Sequence, residues 1–372
     1  MNNFIPVNEP LLDGNEKKYL NDCIDSGWIS SEGPYVNLFE KKFASRIGRK
    51  HAISVTSGTA ALDAAVQALG IKSGDEVILP SFTIISCVLQ IIRVGAVPVL
   101  IDSDPITWNM DISQIESKIT NRTKAIMVVH IYGLPVEMQP VMNICKKYNL
   151  KLIEDSAEAI GQTYMNKPCG SFGDISTYSF YSNKHVTTGE GGMIFTDDDN
   201  LANKCRELRN LCFKKEKRFV HEDLGWNLRM TNLQAAVGVA QLEQLDKFVK
   251  KKRYIGLLYN KFLKHLPGVQ LPLISTHYSE NIYWVYGILL KDTSKIDTKK
   301  VMSFLAENKI GSRPFFFPLH KQPVLNKLGF FKEDKLPVSV KLSNQGFYIP
   351  SGLAITEEQI KRVSDVLFKI LK

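Results

Sequence analysis

Lys184 stands in the stretch STYSFYSNKHVTTGEGGMIFT, after an aromatic run and ahead of a glycine-rich turn. Lysine is the side chain for imine chemistry, because its amine adds to aldehydes and its basicity falls on desolvation. Thr187, Thr188 and the turn Gly189-Glu190-Gly191-Gly192 would shape the backbone tightly beside it, with Ser179 just upstream. Asp155 ends the apolar run of KLIEDSAEAIG, where a carboxylate could keep a heterocyclic nitrogen protonated. Glu158, three residues on, would reach the same ring. Ser57, Gly58 and Thr59 join the strand-like AISVT to the alanine-rich TAALDAAVQALG. A helix starting there presents free N–H groups at a positive dipole end, which suits a phosphate. Each feature also has a plainer reading. Ser and Thr are ordinary helix caps, a strand-terminal Asp commonly caps a turn, and Glu158 could be a surface acid. The lysine could sit in a simple hairpin loop.

These residues need elements to carry them. From His51 to about Thr196, short β-rich runs alternate with helical segments. The strand candidates are Ala52–Thr56, Glu76–Leu79, Val97–Ile101, Ala125–Val129, Lys151–Glu154, Ser176–Tyr181 and Met193–Thr196. Helical spacing marks Thr59–Leu69, Thr83–Arg93, Ile112–Ile119 and Met138–Tyr148. Continuous apolar strands alternating with helices predict an α/β fold, a mostly parallel sheet with helices on both faces. Asp155 would then lie at the carboxyl end of a strand, where open α/β sheets bind ligands. A long helical tract follows over Asn232 to Leu263. Strand-like Tyr283–Leu290 and helices at Thr298–Asn308 and Glu357–Leu371 read as a smaller C-terminal α+β unit. The expected division is residues 1–248 for a large unit with an N-terminal segment and 249–372 for the small one.

Composition sets the outer limits. The 372 residues are 44% hydrophobic and 23% charged, which is ordinary for a globular protein and excludes a disordered or fibrous one. The net charge of +9 favours anionic ligands, but it is scattered. Its densest groups, Lys214, Lys215, Lys217 and Arg218, then Lys250, Lys251, Lys252 and Arg253, lie in helical-looking stretches. A solvated face is the better reading there than a nucleic-acid patch. The six cysteines form no CxxC pair, so reduced thiols and a cytoplasmic setting are expected. The N-terminus lacks a secretory pattern. Cys87–Ile101 is interrupted by Gln90, Arg93, Gly95 and Pro98, so no membrane span is expected.

Taken together and in this order, the three constellations describe a site for pyridoxal 5′-phosphate. Gly58, Thr59 and Ser179 would take the phosphate, Asp155 the pyridinium, and Lys184 the aldehyde carbon. At this point the chain resembles the DegT/DnrJ/StrS sugar-nucleotide aminotransferases. The resemblance runs through SGTAALDAA, GDEVILPSFT, HIYG, LIEDSAEAIG, FGDISTYSFYSNK, TTGEGGM, GWNLRMTNLQAAVGVAQLEQLD, SRPFFFPLH and GFYIPSG. It implies the aspartate-aminotransferase (type I) fold, with Lys184 as Schiff-base lysine and proton shuttle. It places Asp155 on the ring nitrogen, Glu158 near the ring hydroxyl, and Gly58, Thr59 and Ser179 on the phosphate. Asn227 would reach the phosphate of a neighbouring subunit's cofactor, making a homodimer obligatory, with a tetramer also open. Arg313 and His320 would face the sugar or nucleotide, or else belong to a proline-stiffened aromatic core loop. No metal site is expected.

The implied reaction moves the amino group of L-glutamate onto C4 of a nucleotide-linked 4-keto-6-deoxy sugar, first of all a GDP-linked mannose derivative. UDP- or dTDP-sugars and C3 amination are alternatives within the family. A sugar dehydratase and a non-catalytic relative of the same fold are further ones, the latter disfavoured because Lys184 and Asp155 are both kept. The implied setting is synthesis of O-antigen or another surface glycan. Two positions depart from the family pattern. Ile84 stands where an aromatic usually stacks on the pyridine ring, and His185 follows the lysine where Thr or Ile is usual. Some dehydratase relatives carry His in place of the lysine, so the register of SFYSNK decides the reading.

Overall fold

The computed structural model describes residues 4–214 and 218–372, so Lys215 and Lys217 of the basic group and the first three residues lie outside it. Seven strands make one sheet. They are β1 (His51–Val55), β2 (Glu76–Pro80), β3 (Val97–Ile101), β4 (Thr123–Val129) and β5 (Lys151–Asp155), then β8 (Ile175–Ser179) and β9 (Gly192–Thr196). Between β5 and β8 lies a small hairpin of β6 (Thr163–Tyr164) and β7 (Lys167–Pro168). The order across the sheet is β1-β9-β8-β5-β4-β2-β3. All pairings from β8 to β3 are parallel, and β9 runs against both of its neighbours. Six strands therefore release their carboxyl ends along one edge.

Strand periodicity sends alternate residues to opposite faces. On β2, Val77 and Leu79 pack with Ala61, Leu62, Ala65 and Val66 of the Gly58–Ala68 helix. Ile78 points to the other side and joins Val141 and Cys145 of the Met138–Tyr148 helix. Both faces are thus covered, as the unbroken apolar strands require. The six cysteines are free and buried. Among the described residues no helix is long and apolar enough to cross a membrane.

The smaller sheet is antiparallel throughout, in the order β10-β11-β13-β12, with β10 (Val269–Gln270), β11 (Tyr286–Leu290), β12 (Arg313–Pro314) and β13 (Gly346–Ile349). The helix Leu245–Leu263 ties the two sheets. Its Leu245, Phe248 and Val249 are buried near its start, and Leu245 and Val249 pack with Phe39, Phe43 and Phe180. Further along, Ile255, Tyr259 and Leu263 pack with Tyr286, Ile288 and Phe347 of the small sheet. Ile5, near the other end of the chain, joins the same small-sheet core.

Three segments differ from the pattern reading. The tract Asn232–Leu263 is two helices, Asn232–Glu243 and Leu245–Leu263, meeting at Gln244. Ile112–Ile119 is a pair of 3₁₀ turns, because Ile115 is its one buried side chain and Asp111 caps the start through the Ser113 N–H. Two helices, Glu16–Ser26 and Pro34–Ile47, precede the first strand without a strong pattern of their own. The second is held by tertiary packing, with Phe39 and Phe43 seated against Phe180 and Tyr178.

One buried carboxylate fastens the small unit to the carboxyl edge. Asp102, just past β3, accepts from the Val338 and Ser339 N–H groups and the Ser339 hydroxyl, and so caps the Pro337–Gln345 helix across the molecule. Replacement by Ala leaves buried donors unpaired at a helix start, a loss of about 2 kcal/mol. Asp102→Ala is therefore expected to lower the urea midpoint of unfolding, and Asp102→Asn to lower it less.

Candidate active site

The turns leaving β1, β2, β4, β5 and β8 meet around a cavity of ≈ 400 Å³. Gly58, Thr59, Asp155, Glu158, Ser179 and Lys184 all line it, as do Ile84, Ser86, Tyr181, Trp284, Phe316 and Tyr348. Gly58 and Lys184, 126 positions apart, are thus gathered by one sheet edge.

At one end of the cavity is the start of the Gly58–Ala68 helix. Ser57 caps it by accepting from the Ala60 N–H at 3.1 Å, while the first N–H groups of a helix have no partner inside it. Thr59 and Ser86 hydroxyls meet at 2.9 Å beside them. A side chain at Gly58 would place its Cβ 2.7 Å from Ser179 Cβ, so the loop after β8 closes on the helix only with glycine there. Gly192 serves the same closure from β9, since a Cβ there would lie 2.3 Å from the Ser57 carbonyl oxygen. The result is a cradle of hydroxyls and amide hydrogens shaped for a small anion.

Asp155, 3% exposed, closes the other side. Its Oδ1 accepts from the Ala157 N–H at 3.0 Å and its Oδ2 from the Cys87 thiol at 3.4 Å. Burial raises its pKa, and the Lys184 charge pulls the other way. Glu158 accepts from the Tyr132 N–H at 2.8 Å, and burial pushes it up to about 8 against the opposing pull of Lys184. Lys184 is itself shifted down by burial, with Glu158, Asp155 and Cys87 acting in the other direction. The loop that carries it leaves and returns at one point. Phe180 donates its N–H to Gly191 and accepts from the Thr188 N–H and the Thr187 hydroxyl. Lys184 lines the cavity and His185 does not; His185 is buried and its pKa is driven well down, first by burial and then by the Lys252 and Lys184 charges. Ile84, at 47% exposure, lies open to the cavity.

Other sequence candidates fall elsewhere. Asn227 is exposed, outside this cavity, in a segment whose Leu224 and Trp226 are also exposed. Arg313 is exposed on β12, paired in register with Tyr348 of the cavity wall. His320 is buried behind the wall, its Nδ1 2.7 Å from the Ser81 hydroxyl. Pattern reading also passed over Cys87, Trp284, Phe316 and Tyr348. Three of these come from the small unit, and only an aromatic-rich context (YWVYG, RPFFFP, GFYIP) marks them in the sequence.

The cavity suits the cofactor by three observations of this chain: a helix start with hydroxyls beside it that fits an anion, a buried carboxylate with no ion pair among the described residues, and an amine lining the same cavity. The comparisons agree. The DegT/DnrJ/EryC1/StrS aminotransferase description matches residues 10–368. A GDP-perosamine synthase of Vibrio cholerae is 43% identical over 365 residues, 98% of each chain. One from Escherichia coli O157:H7 is 43% identical over 357 residues, 96% of each. The solved structure of Helicobacter pylori PseC, an aminotransferase involved in the biosynthesis of pseudoaminic acid, superposes with TM-score 0.92 at 26% identity, covering 99% of each chain. This is a pyridoxal 5′-phosphate-dependent enzyme of aminotransferase fold. The chain belongs to the DegT/DnrJ/EryC1/StrS aminotransferase family.

Next to Asp155, Glu154 fixes the strand end from below. It is fully buried and accepts from His130 Nε2 at 3.0 Å, from the Gly170, Phe172 and Gly173 N–H groups, and from the Ser156 and Ser176 hydroxyls. His130 Nδ1 accepts from the Val136 N–H, which leaves the Nε2 hydrogen to donate. Burial acts to raise the Glu154 pKa, but the His130 contact and these donors outweigh it and bring the group from 4.5 to about 2. A depressed carboxylate adds stability above its unfolded pKa and loses it as pH falls through the folded one. The shift corresponds to roughly 3 kcal/mol. The resistance of the wild type to chemical denaturation is expected to fall as pH drops from 4.5 to about 2, and that slope is expected to flatten in Glu154→Gln.

Proposed function

We propose that this chain moves the amino group of L-glutamate onto C4 of GDP-4-keto-6-deoxy-D-mannose, producing GDP-perosamine. The observation that carries the substrate is 43% identity to GDP-perosamine synthases over nearly the whole of both chains. The net charge of +9 suits a diphosphate-bearing substrate. When bound, pyridoxal 5′-phosphate supplies the electron sink that stabilises negative charge at Cα of the amino donor.

The side chains divide the remaining work. The helix start at Gly58 and Thr59, with Ser179, holds the phosphate by amide hydrogens, hydroxyls and dipole. Asp155 keeps the ring nitrogen protonated, and a cation in contact with it would relieve the cost of burying its charge. Glu158, which lines the same cavity, would lie beside the ring hydroxyl. Lys184 would hold the aldehyde carbon and, with its amine free, would take the proton from Cα of glutamate. In the second half-reaction it handles the proton at C4 of the sugar. A lysine whose pKa is lowered by burial is suited to both tasks. Arg313, exposed beside Tyr348, is the proposed contact of the anionic diphosphate, and His320 supports the wall through Ser81.

We further assign the chain to an obligate homodimer in which Asn227 completes the phosphate site of the neighbouring subunit; a tetramer of such dimers is compatible with this. Its support is that Asn227 is exposed next to Leu224, which is 89% exposed, and Trp226. Residues 1–248 form the cofactor unit and 249–372 the smaller one, the division falling inside the Leu245–Leu263 helix where its packing changes core. The reaction belongs to the cytoplasm, upstream of O-antigen or similar glycan assembly.

The deciding experiment incubates the enzyme with glutamate and a panel of GDP-, UDP- and dTDP-4-keto-6-deoxy sugars. A 4-amino product is expected from the GDP-mannose derivative; amination of only a UDP- or dTDP-sugar would remove the substrate assignment, and loss of a hydroxyl without amination would indicate a dehydratase. Lys184→Ala is expected to lose at least ~10²-fold in turnover, the smaller end of what positioned proton transfer contributes. Ile84→Phe is expected to tighten cofactor binding, since a stacked aromatic adds about 1 kcal/mol; equilibrium dialysis reads this.

A further inference from the structure

Lys184 has a close aromatic neighbour that the proposed reaction does not use. Its Nζ lies 3.7 Å from the centroid of the Trp284 ring, well inside the range of a cation–π contact. The indole is clamped at that spot. Its Nε1–H donates at 2.9 Å to the carbonyl of Asn183, the residue before the lysine. Its main-chain carbonyl accepts from Lys252 Nζ at 3.0 Å, and Lys252 also donates to the Ser351 carbonyl. Lys252 is 2% exposed, and both of these bonds end on main-chain oxygens. Just ahead of Trp284, Tyr283 has φ 50, a left-handed conformation costly for an aromatic residue, held by the Asn281 side chain accepting from its N–H at 2.7 Å. A strained turn on the small unit thus delivers one indole face to one lysine on the large unit.

We propose that Trp284 is a positioning residue: its indole face is the seat of the Lys184 ammonium whenever that group is detached from the cofactor, and Lys252 and Asn183 lock the seat in place. This rests on the reading of Lys184 as the anchoring lysine. The groups around the ammonium show why such a seat is needed. Asp155 at the end of β5, Glu158 on the following loop and Cys87 on the Ser86–Arg93 helix act on it, and His185 adjoins it. Tyr181, Glu190 and Tyr348 line the same cavity. An ammonium freed among two carboxylates would pair with one of them and disturb the groups proposed for the cofactor ring. A ring face holds positive charge without offering an oxygen, so the lysine stays near its working position and can leave it again.

The test uses the enzyme loaded with pyridoxamine 5′-phosphate, in which the lysine is free. Brief labelling with acetic anhydride across a pH series, read at the Lys184 peptide by mass spectrometry, gives the titration midpoint of its amine. Removing the ring face removes a partner of the charged form, so the midpoint in Trp284→Leu is expected to fall by about one unit, a tenfold change in the neutral-to-charged ratio. Trp284→Phe and Lys252→Met are expected to lower it by less. A purely structural role predicts the opposite sign, because loosened packing admits water and raises the midpoint of a desolvated lysine. An unchanged or raised midpoint overturns the proposal; if Trp284→Leu does not fold, Trp284→Phe is read by the same criterion. Borohydride reduction of the pyridoxal-loaded wild type separates the two readings. A label fixed on another residue refutes the role of Lys184, whereas a label on Lys184 with no downward shift refutes the seat alone.

Discussion

One ammonium and two carboxylates share a small, largely buried space at the edge of the large sheet, and most of the architecture answers to that. Burial disfavours all three charges: it lowers Lys184 and raises Asp155 and Glu158, while each sign partly restores the other. Such a set is stable only when the backbone holds it still, because a partner displaced by an ångström leaves an uncompensated charge. The parallel sheet supplies that stillness. The carbonyl of Asp155 accepts from the His130 N–H, Glu158 accepts from Tyr132, and the fully bonded Glu154 pins the strand beneath them.

The small sheet is as much a part of the site as the large one. Trp284, Phe316 and Tyr348 form one wall of the cavity, and their rings pack with Tyr132, which leaves the end of β4 in a left-handed turn at φ 56. A charged side chain bonded to main-chain groups helps lock the two units. Asp102 of the large unit accepts from the start of the Pro337–Gln345 helix of the small one, and within the small unit Lys252 donates to the Trp284 and Ser351 carbonyls, which holds Trp284 at the cavity wall. Bonds of that kind fix a geometry to within a fraction of an ångström, which apolar packing alone does less well.

Much of this is legible in the amino-acid sequence. The strands of the large sheet were visible because buried parallel strands must be apolar on both faces, as in Val77, Ile78 and Leu79. Gly58, Thr59, Asp155 and Lys184 were visible because each sits where a strand run stops, and strand ends are legible. The 3₁₀ turns over Ile112–Lys118 were not, since apolar spacing in so short a run does not reveal that Ile115 alone finds a core. The helices before β1 escaped for a related reason: Phe39 and Phe43 matter only once Phe180 and Tyr178 stand opposite.

Local chemistry, then, belongs to the amino-acid sequence: which residue caps a helix, which carboxylate ends a strand, which lysine precedes a glycine-rich turn. These depend on neighbours within a few positions, and the code for them is short-range. Everything that involves pairs far apart in the chain was decided by the tertiary structure. Trp284 lies 100 positions from Lys184, and nothing local to either announces their contact. The same holds for Asp102 with Ser339 and for Ser81 with His320, the latter placing behind the wall a histidine that its own segment left facing either way. Long-range contacts follow from the order and direction of strands, a property of the whole chain, and so they appear only when the sheet has closed.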